Sequence, residues 1–448
     1  MLRAESAMRG GTSSRAFGWR YGAQGPGVIS HAEPGIGRAT PERLTARAAR
    51  VFTRQNAALV LDGPPPPGLR LWLADGERST PPPAVPAEET IPAAYVDDGG
   101  LIVSGVVTRS LGGTVAAEVL QRALRERLRD KAGAAYAPWA TYEPVDATHA
   151  LLLGGSDVLP TLLPELAHSV LHLMEAMRTE PVPATWFGEV VEAREQAIND
   201  PYFATALAAR AAQLHLAGEP PESHAELAQE LRDLTPEAVE ASLREFADSL
   251  LVGMPGQAAW ADQLPMLAVP EVAAQHHGTG YRTVDWPASA ERLHIGPERL
   301  EISLGKVART VELADVAGLY VYDDGSRYVI GRDGWGLHVA PGTWRRGDAV
   351  VATLDAAVPA SLHLPHPAGD VDVPHRLSPA RRWWFGFRRL LRSEASLWVW
   401  LTLLAALLVV AIVSGSPVLA IGVVIGTSAA VRELIAHRNA RRAVPTPH

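Results

Sequence analysis

One seven-residue phrase, Thr-Pro-Glu-x-(Leu/Val)-x-Ala, occurs twice in this chain, as "TPERLTA" at 40–46 and "TPEAVEA" at 235–241. Each copy starts a helix by ordinary means: Thr40 and Thr235 suit the N-cap, Pro41 and Pro236 the first helical position, and Glu42 and Glu237 the positive end of the helix dipole. Capping accounts for those three residues and no more. The likeness runs on through an Arg and an aromatic into an apolar strand-like run, "RVFTRQNAALVLDGP" in one copy and "REFADSLLVGMP" in the other, with a one-residue slip. Both copies are also preceded by Ser-His-Ala-Glu, at Ser30–Glu33 and Ser223–Glu226. A repeated lead-in, helix and strand points to an internal duplication whose unit is domain-sized, roughly 200 residues.

A chain of 448 residues has room for about three domains of ordinary size, and its 47% hydrophobic content is enough for packed cores. The formal net charge of −8 argues against nucleic acid as a partner. Lys131 and Lys306 are the only lysines; with so much Ala, Gly and Pro, the reliance on Arg fits a coding bias better than a functional choice. The absence of cysteine removes disulfides, thiolate metal ligands and cysteine nucleophiles. The opening "MLRAESAMRGGTSS" lacks the apolar stretch of a secretory signal.

Composition divides the chain. Residues 64–92 hold nine prolines, and 64–90 read as an extended linker. Residues 1–63, too few for a full copy, read as the C-terminal remnant of a first domain, and 91–257 as a complete second one. The latter begins with a strand, "GGLIVSGVVTRS", followed by an amphipathic helix over 113–131, a strand pair in "AAYAPWATYEP" and "THALLLGG", and helices from about 160 to 248. Short strands then dominate 286–366, with "DDGS" and "RDGW" at turns and a closing helix in "GDAVVATLDAAV". This small antiparallel region resembles bacterial pleckstrin-homology-like (PH-like) domains at the level of pattern.

From Ala395 to Val431 no residue is charged, and "SGSP" at 414–417 breaks the run in two. One helix of that length would be about 55 Å long against a hydrocarbon core of about 30 Å, so a transmembrane hairpin over 395–431 is expected. Arg381, Arg382, Arg388, Arg389 and Arg392 flank it on one side and Arg432, Arg438, Arg441 and Arg442 on the other. The positive-inside rule then places the chain in an inner or plasma membrane, with its soluble domains, the basic tail 432–448 and both termini cytoplasmic. The arginines between Arg376 and Arg392, interleaved with Trp383, Trp384 and Phe385, would also suit anionic headgroups.

The duplicated α+β unit, with "FTRQNAALVLDGPPPPGLRL" ending its first copy and "LQRALRERLRDKAGAAYAPWATYEP" inside its second, resembles the insulinase-like (pitrilysin) family of zinc metallopeptidases over residues 1 to 255. The fold class this implies is α+β: an insulinase-type α/β sandwich domain with a fragment of a preceding copy, followed by the small antiparallel β domain and the transmembrane helical hairpin. Within it, "RDKAGAAY" resembles the family's Arg-x-x-x-x-Gly-x-Tyr segment, where helix gives way to strand. The resemblance makes Arg129 and Tyr136 the candidate contacts to a substrate carbonyl, donors that a developing oxyanion requires. The plainer reading of the same residues is a solvated helix end and a half-buried strand residue.

The family's zinc motif, His-x-x-Glu-His followed by a distant Glu, is absent. Of fifteen histidines only His168 and His172 are four apart, in "HSVLH", and Leu171 stands where the activating Glu would be. Their spacing with Glu175 allows chelation, but "LAHSVLHLMEAM" reads more simply as a helix face, and the loop pair His276 and His277 is weaker still. "GRDGWG" follows a strand and reads as a hairpin rather than a phosphate loop, and no Gly-x-Ser-x-Gly elbow occurs. No metal or cofactor is therefore expected in this chain, with zinc present only if a partner half supplies it.

The function these features imply is a membrane-anchored insulinase-family homologue, inactive alone, that serves as an interaction subunit for a zinc-bearing insulinase-like partner chain. The expected partners are the bilayer, that chain and a peptide substrate. Two alternatives use the same residues: the C-terminal half of a split or mis-started peptidase, and a membrane adaptor that binds peptide or lipid through the β domain.

Overall fold

In the computed structural model the described residues are 12–366, apart from 32–34, 62, 80–82, 88–90, 98–99, 159–161 and 256–262, together with a few positions between 378 and 385. The chain forms two compact units. The first comprises residues 1–270, 311–338 and 358–368; the second comprises 271–310, 339–357 and 369–448.

The first unit is built on a mixed five-stranded sheet. Its spatial order is β1 (Ala93–Val96), β5 (Leu251–Met254), β2 (Leu101–Thr108), β4 (His149–Ser156) and β3 (Trp139–Pro144). β1 runs parallel to β5, and the other neighbouring pairs are antiparallel. The runs "LIVSGVVT" and "HALLLGGS" are apolar at successive positions rather than at alternate ones, as strands covered on both faces must be. Leu101, Val103, Val107, Ala150 and Leu152 pack beneath α3 (Leu111–Leu124), α4 (Leu163–Thr179) and α8 (Pro236–Asp248). The intervening residues Ile102, Leu151 and Leu153, with Ala93, Tyr95 and Leu251, join Ala16 and Tyr21 of α1 (Thr12–Tyr21) in a second core. Gly105 allows α8 its close approach to β2, because a Cβ there would lie 2.3 Å from the Phe246 carbonyl oxygen. Three further helices, α5 (Ala184–Ile198), α6 (Phe203–Ala217) and α7 (His224–Asp233), fill the sequence between α4 and α8.

α1 is held to the sheet by charge as well as by apolar contact. The buried Arg20 guanidinium donates to the carbonyl oxygens of Ser104 (3.1 Å) and Ser249 (2.7 Å). Burial lowers its pKa to about 10, which leaves it charged at neutral pH. Arg15 pairs at 2.8 Å with Asp97, whose side chain is fully enclosed.

Both copies of the repeated phrase begin helices as their residues predict. Thr40 Oγ1 accepts from the Arg43 N–H and Thr235 Oγ1 from the Ala238 N–H. Ser223 and Glu226 form a reciprocal capping box; the equivalent of Glu226, at 33, lies outside the described residues. Beyond the caps the copies diverge. α8 buries Val239, Leu243 and Phe246 and leads into β5. α2 (Pro41–Val51) buries no residue, and 57–61 form no strand, contrary to the run expected there. Leu44 and Phe52 stay exposed because no sheet covers them.

The first unit also carries β11 (Val316–Tyr322), β12 (Arg327–Gly331) and β14 (His363–His366), which with β13 (Gly336–Val339) form a four-stranded sheet in the order β13-β12-β11-β14. The second unit is centred on another sheet, in the order β6 (Val272–Ala273), β10 (Val307–Glu312), β9 (Arg299–Leu304), β8 (Glu291–Ile295) and β7 (Thr279–Arg282). The helix expected in "GDAVVATLDAAV" is α9 (Gly347–Ala357), and its Thr353 hydroxyl lies 3.2 Å from the Tyr281 hydroxyl. Trp286 is flanked by the Arg282 and Arg345 guanidinium groups at 4.6 and 5.5 Å from its ring. Short strands with a helix are thus present, but β11–β14 pairing is parallel and the strands make two sheets, so the PH-like resemblance gains no support.

The expected membrane placement is corrected. The hairpin over 395–431 and the tail 432–448 lie outside the described residues. Among the described residues no helix is long and apolar enough to cross a membrane. α4, of 17 residues, carries His168, His172, Glu175 and Arg178, and the helical run from Leu111 to Lys131 carries Glu118, Arg122, Arg125 and Glu126 among other charges, whereas a span needs about 20 consecutive apolar residues. Among the described residues, an inner- or plasma-membrane location with both termini cytoplasmic therefore has no spanning element to rest on.

Two substitutions test this packing. Arg20→Ala deprives the Ser104 and Ser249 carbonyls of a buried donor and is expected to cost about 2 kcal/mol or more in chemical denaturation; a loss below about 0.5 kcal/mol would mean that α1 is not integral to the sheet. Gly105→Val is expected to destabilise by more than about 1 kcal/mol through overpacking against α8, read as a lowered denaturation midpoint with unchanged slope.

Candidate functional site

α3 passes without a break into a π-helical segment, Arg125–Lys131. Leu128 anchors that segment by full burial. It ends when Gly133 adopts φ +59° and the Gly133 and Ala134 N–H groups donate to the carbonyls of Arg129 and Leu128. The left-handed conformation is what glycine supplies cheaply at a helix end. The glycine falls one position earlier than in the family's Arg-x-x-x-x-Gly-x-Tyr segment, and Ala134 stands in its place.

The reversal at Gly133 returns the chain toward Arg129 and brings Tyr136 beside it. The Arg129 guanidinium lies 6.0 Å from the centre of the Tyr136 ring, within reach of a cation–π contact. Tyr136 is 82% exposed, and Arg129 is exposed as well. The pair therefore offers a guanidinium and a phenol to solvent at one place, just before β3. Together they could donate several hydrogen bonds to one carbonyl or carboxylate oxygen.

The other histidines weighed from the sequence are separately engaged. His168 Nδ1 lies 2.7 Å from Gln263 Nε2, and His172 Nδ1 lies 3.1 Å from an Arg127 guanidinium nitrogen. Glu175 faces Arg178. These contacts hold the two imidazoles to different partners, as expected of an ordinary helix face.

The cluster that sequence reasoning passed over lies in the second unit. His276, His294 and Glu301 bring their ligand atoms within 4.8 Å of one another. β8 and β9 pair antiparallel with His294 directly opposite Glu301, and His276, at φ +57° in the loop before β7, reaches over them. The two imidazole rings are 4.8 Å apart. Glu301, 1% exposed, accepts from the Gln275 and His276 N–H groups at 3.1 and 3.2 Å. His294, 7% exposed, has no hydrogen-bond partner for either ring nitrogen among the described residues. Burial holds its pKa below the usual histidine range; His276 pushes the same way, the Glu301 carboxylate opposes, and Arg292 adds a smaller push down. A buried polar group left unpaired costs about 1–3 kcal/mol. The only signal in the sequence was the histidine beside His277; the register that adds His294 and Glu301 is a property of the sheet.

In the first unit a cavity of about 220 Å³ is lined by Arg15, Trp19, His31, Asp333 and Trp335 among others. Trp19 stacks on Tyr95 at 4.7 Å and meets Trp335 edge-on at 5.2 Å. The volume falls short of the roughly 300–1,000 Å³ of small-molecule sites, and the aromatic contacts make it part of the packing around α1.

No family model and no curated protein matches the chain. Solved structures are similar to it at low score, and they include insulinase-like peptidases. A peptidase M16 inactive domain from Pseudomonas fluorescens is 13% identical, with a TM-score of 0.39, 57% of this chain covered and 69% of that one. A chain of complex III2 from Candida albicans is 11% identical, with a TM-score of 0.41 and coverage of 56% and 70%. A predicted insulinase family protease from Yersinia pestis is 12% identical, with a TM-score of 0.31; 41% of this chain is covered, and it spans 46% of that protein's chain. At these identities and scores the likeness assigns neither a family nor an activity to this chain.

Proposed function

We propose that this chain is a non-catalytic interaction subunit of insulinase type, which presents Arg129 and Tyr136 to a zinc-bearing partner chain and its peptide substrate. The observation that carries this reading is the convergence of Arg129 and Tyr136 on an exposed surface at a helix-to-strand junction. Neither side chain fills a core, so both are available to another molecule. A partner whose zinc polarises a peptide carbonyl would be complemented by these donors, since the charge that develops on the carbonyl oxygen needs fixed hydrogen bonds.

The chain itself lacks His-x-x-Glu-His, which leaves the water-activating chemistry to the partner. Arg129 contributes a guanidinium fork of N–H donors, and Tyr136 contributes a phenol O–H donor. The cation–π contact between them restricts the guanidinium before any substrate arrives, so less freedom is lost when it binds.

The double variant Arg129→Ala/Tyr136→Phe is expected to unfold within about 0.5 kcal/mol of the parent, as exposed positions do. Peptide cleavage by the chain reconstituted with a zinc-bearing partner is expected to fall about 10²-fold or more, mainly in kcat. Undiminished cleavage with both residues replaced would remove the donor role and leave the surface a docking face only. The wild-type chain without a partner is expected to leave peptides intact.

A further inference from the structure

We propose that His276, His294 and Glu301 form a binding site for a borderline divalent transition metal of the zinc class. Two imidazoles and one carboxylate are a donor set that suits such an ion, and three protein ligands leave a fourth position for water or for a donor from a partner. This site is separate from the Arg129–Tyr136 surface and does not depend on the reading given to that surface.

The geometry is built by the sheet. Residues directly opposite on neighbouring antiparallel strands project from the same face, and the register places His294 of β8 opposite both Glu301 of β9 and Gly280 of β7. A Cβ at Gly280 would lie 3.0 Å from His294 Cε1, so the absence of a side chain there leaves the imidazole its place. His276 completes the set from above: its Nδ1 lies 3.4 Å from Glu301 Oε1 and 3.4 Å from the Ser303 hydroxyl. The independent observation that points to a ligand is His294, which is more than nine-tenths buried with both ring nitrogens unpartnered among the described residues. A buried carboxylate beside it, whose only ion-pair partner among the described residues is His276, supplies the negative charge that a dication would neutralise.

Ligand atoms around a tetrahedral zinc stand about 3.3 Å apart, given bond lengths of about 2.0–2.2 Å. The cluster, spread over as much as 4.8 Å, must therefore contract by about 1.5 Å. His294 and Glu301 are fixed by their strands. His276, with its side chain 43% exposed on a loop, is the ligand free to move inward. Metal binding would thereby pin the 274–278 loop to the sheet.

Titration of the purified, chelator-treated full chain with zinc chloride tests the site. One zinc per chain is expected, with a raised melting temperature at saturating zinc. Substitution of cobalt is expected to give the visible absorption of a four-coordinate nitrogen- and oxygen-ligated ion. His276→Ala and Glu301→Gln are each expected to weaken binding by about 100-fold or more, beyond the usual cost of losing an outer-shell partner. His294→Ala would empty a buried position and risks the fold, so the half-exposed His276 and the isosteric Glu301→Gln variant carry the test. The double variant His168→Ala/His172→Ala is expected to bind as the parent does. Absence of stoichiometric zinc would overturn the proposal. Zinc binding that survives His276→Ala and Glu301→Gln, or that is lost with His168 and His172, would overturn it as well.

Discussion

A sheet that is apolar on both faces must be covered on both, and the first unit is organised around that requirement. β2 and β4 send Val103, Val107 and Leu152 to the helices and Ile102, Leu151 and Leu153 to the opposite side. The helices α3, α4 and α8 cover the first face. α1, from far upstream in the chain, covers the other with Ala16 and Tyr21. That arrangement buries Arg20, and the carbonyls of Ser104 and Ser249, with the Ser104 hydroxyl, accept its hydrogen bonds there. The same strand that requires α1 also requires Gly105, since α8 crosses it at backbone contact distance. Beyond the sheet, α3 extends past its last strand-facing turn, and that extension carries Arg129 and, after the reversal at Gly133, Tyr136.

Much of this was legible in the sequence because local chemistry determined it. The Thr-Pro-Glu caps, the helix through "GTVAAEVLQRALRERLRDK" and the apolar strands β2 and β4 follow from residue type and spacing. The role of α1 was not legible: "TSSRAFGWRY" has little amphipathic pattern, and its partners lie about 80 and 230 positions downstream. The strand expected in "NAALVLDGP" failed for the converse reason. Its residues suit a strand as well as those of β5 do, but β5 has β1 and β2 to pair with and the upstream run has no sheet. Propensity proposes a strand; pairing decides it.

The two candidate sites differ in the same way. Arg129 and Tyr136 lie within one helix-to-strand junction, so a motif seven residues apart could bring them to attention, and the left-handed Gly133 makes them meet. His276, His294 and Glu301 come from a loop and two strands, and only the β8–β9 register turns them into neighbours. No spacing rule for helical metal motifs applies to ligands brought together across strands. His168 and His172 had such a spacing, yet each ring is committed to a separate polar partner.

The account's central claim is that the Arg129–Tyr136 surface is a meeting place with a zinc-bearing chain. A photo-activatable amino acid placed at position 136, followed by cross-linking in the native cell and mass spectrometry of the adduct, reads this most directly. The account predicts one dominant adduct, to a chain that carries His-x-x-Glu-His, and none from the equally exposed position 202. Equal yields from both positions, or a dominant adduct to a chain without that motif, would contradict it.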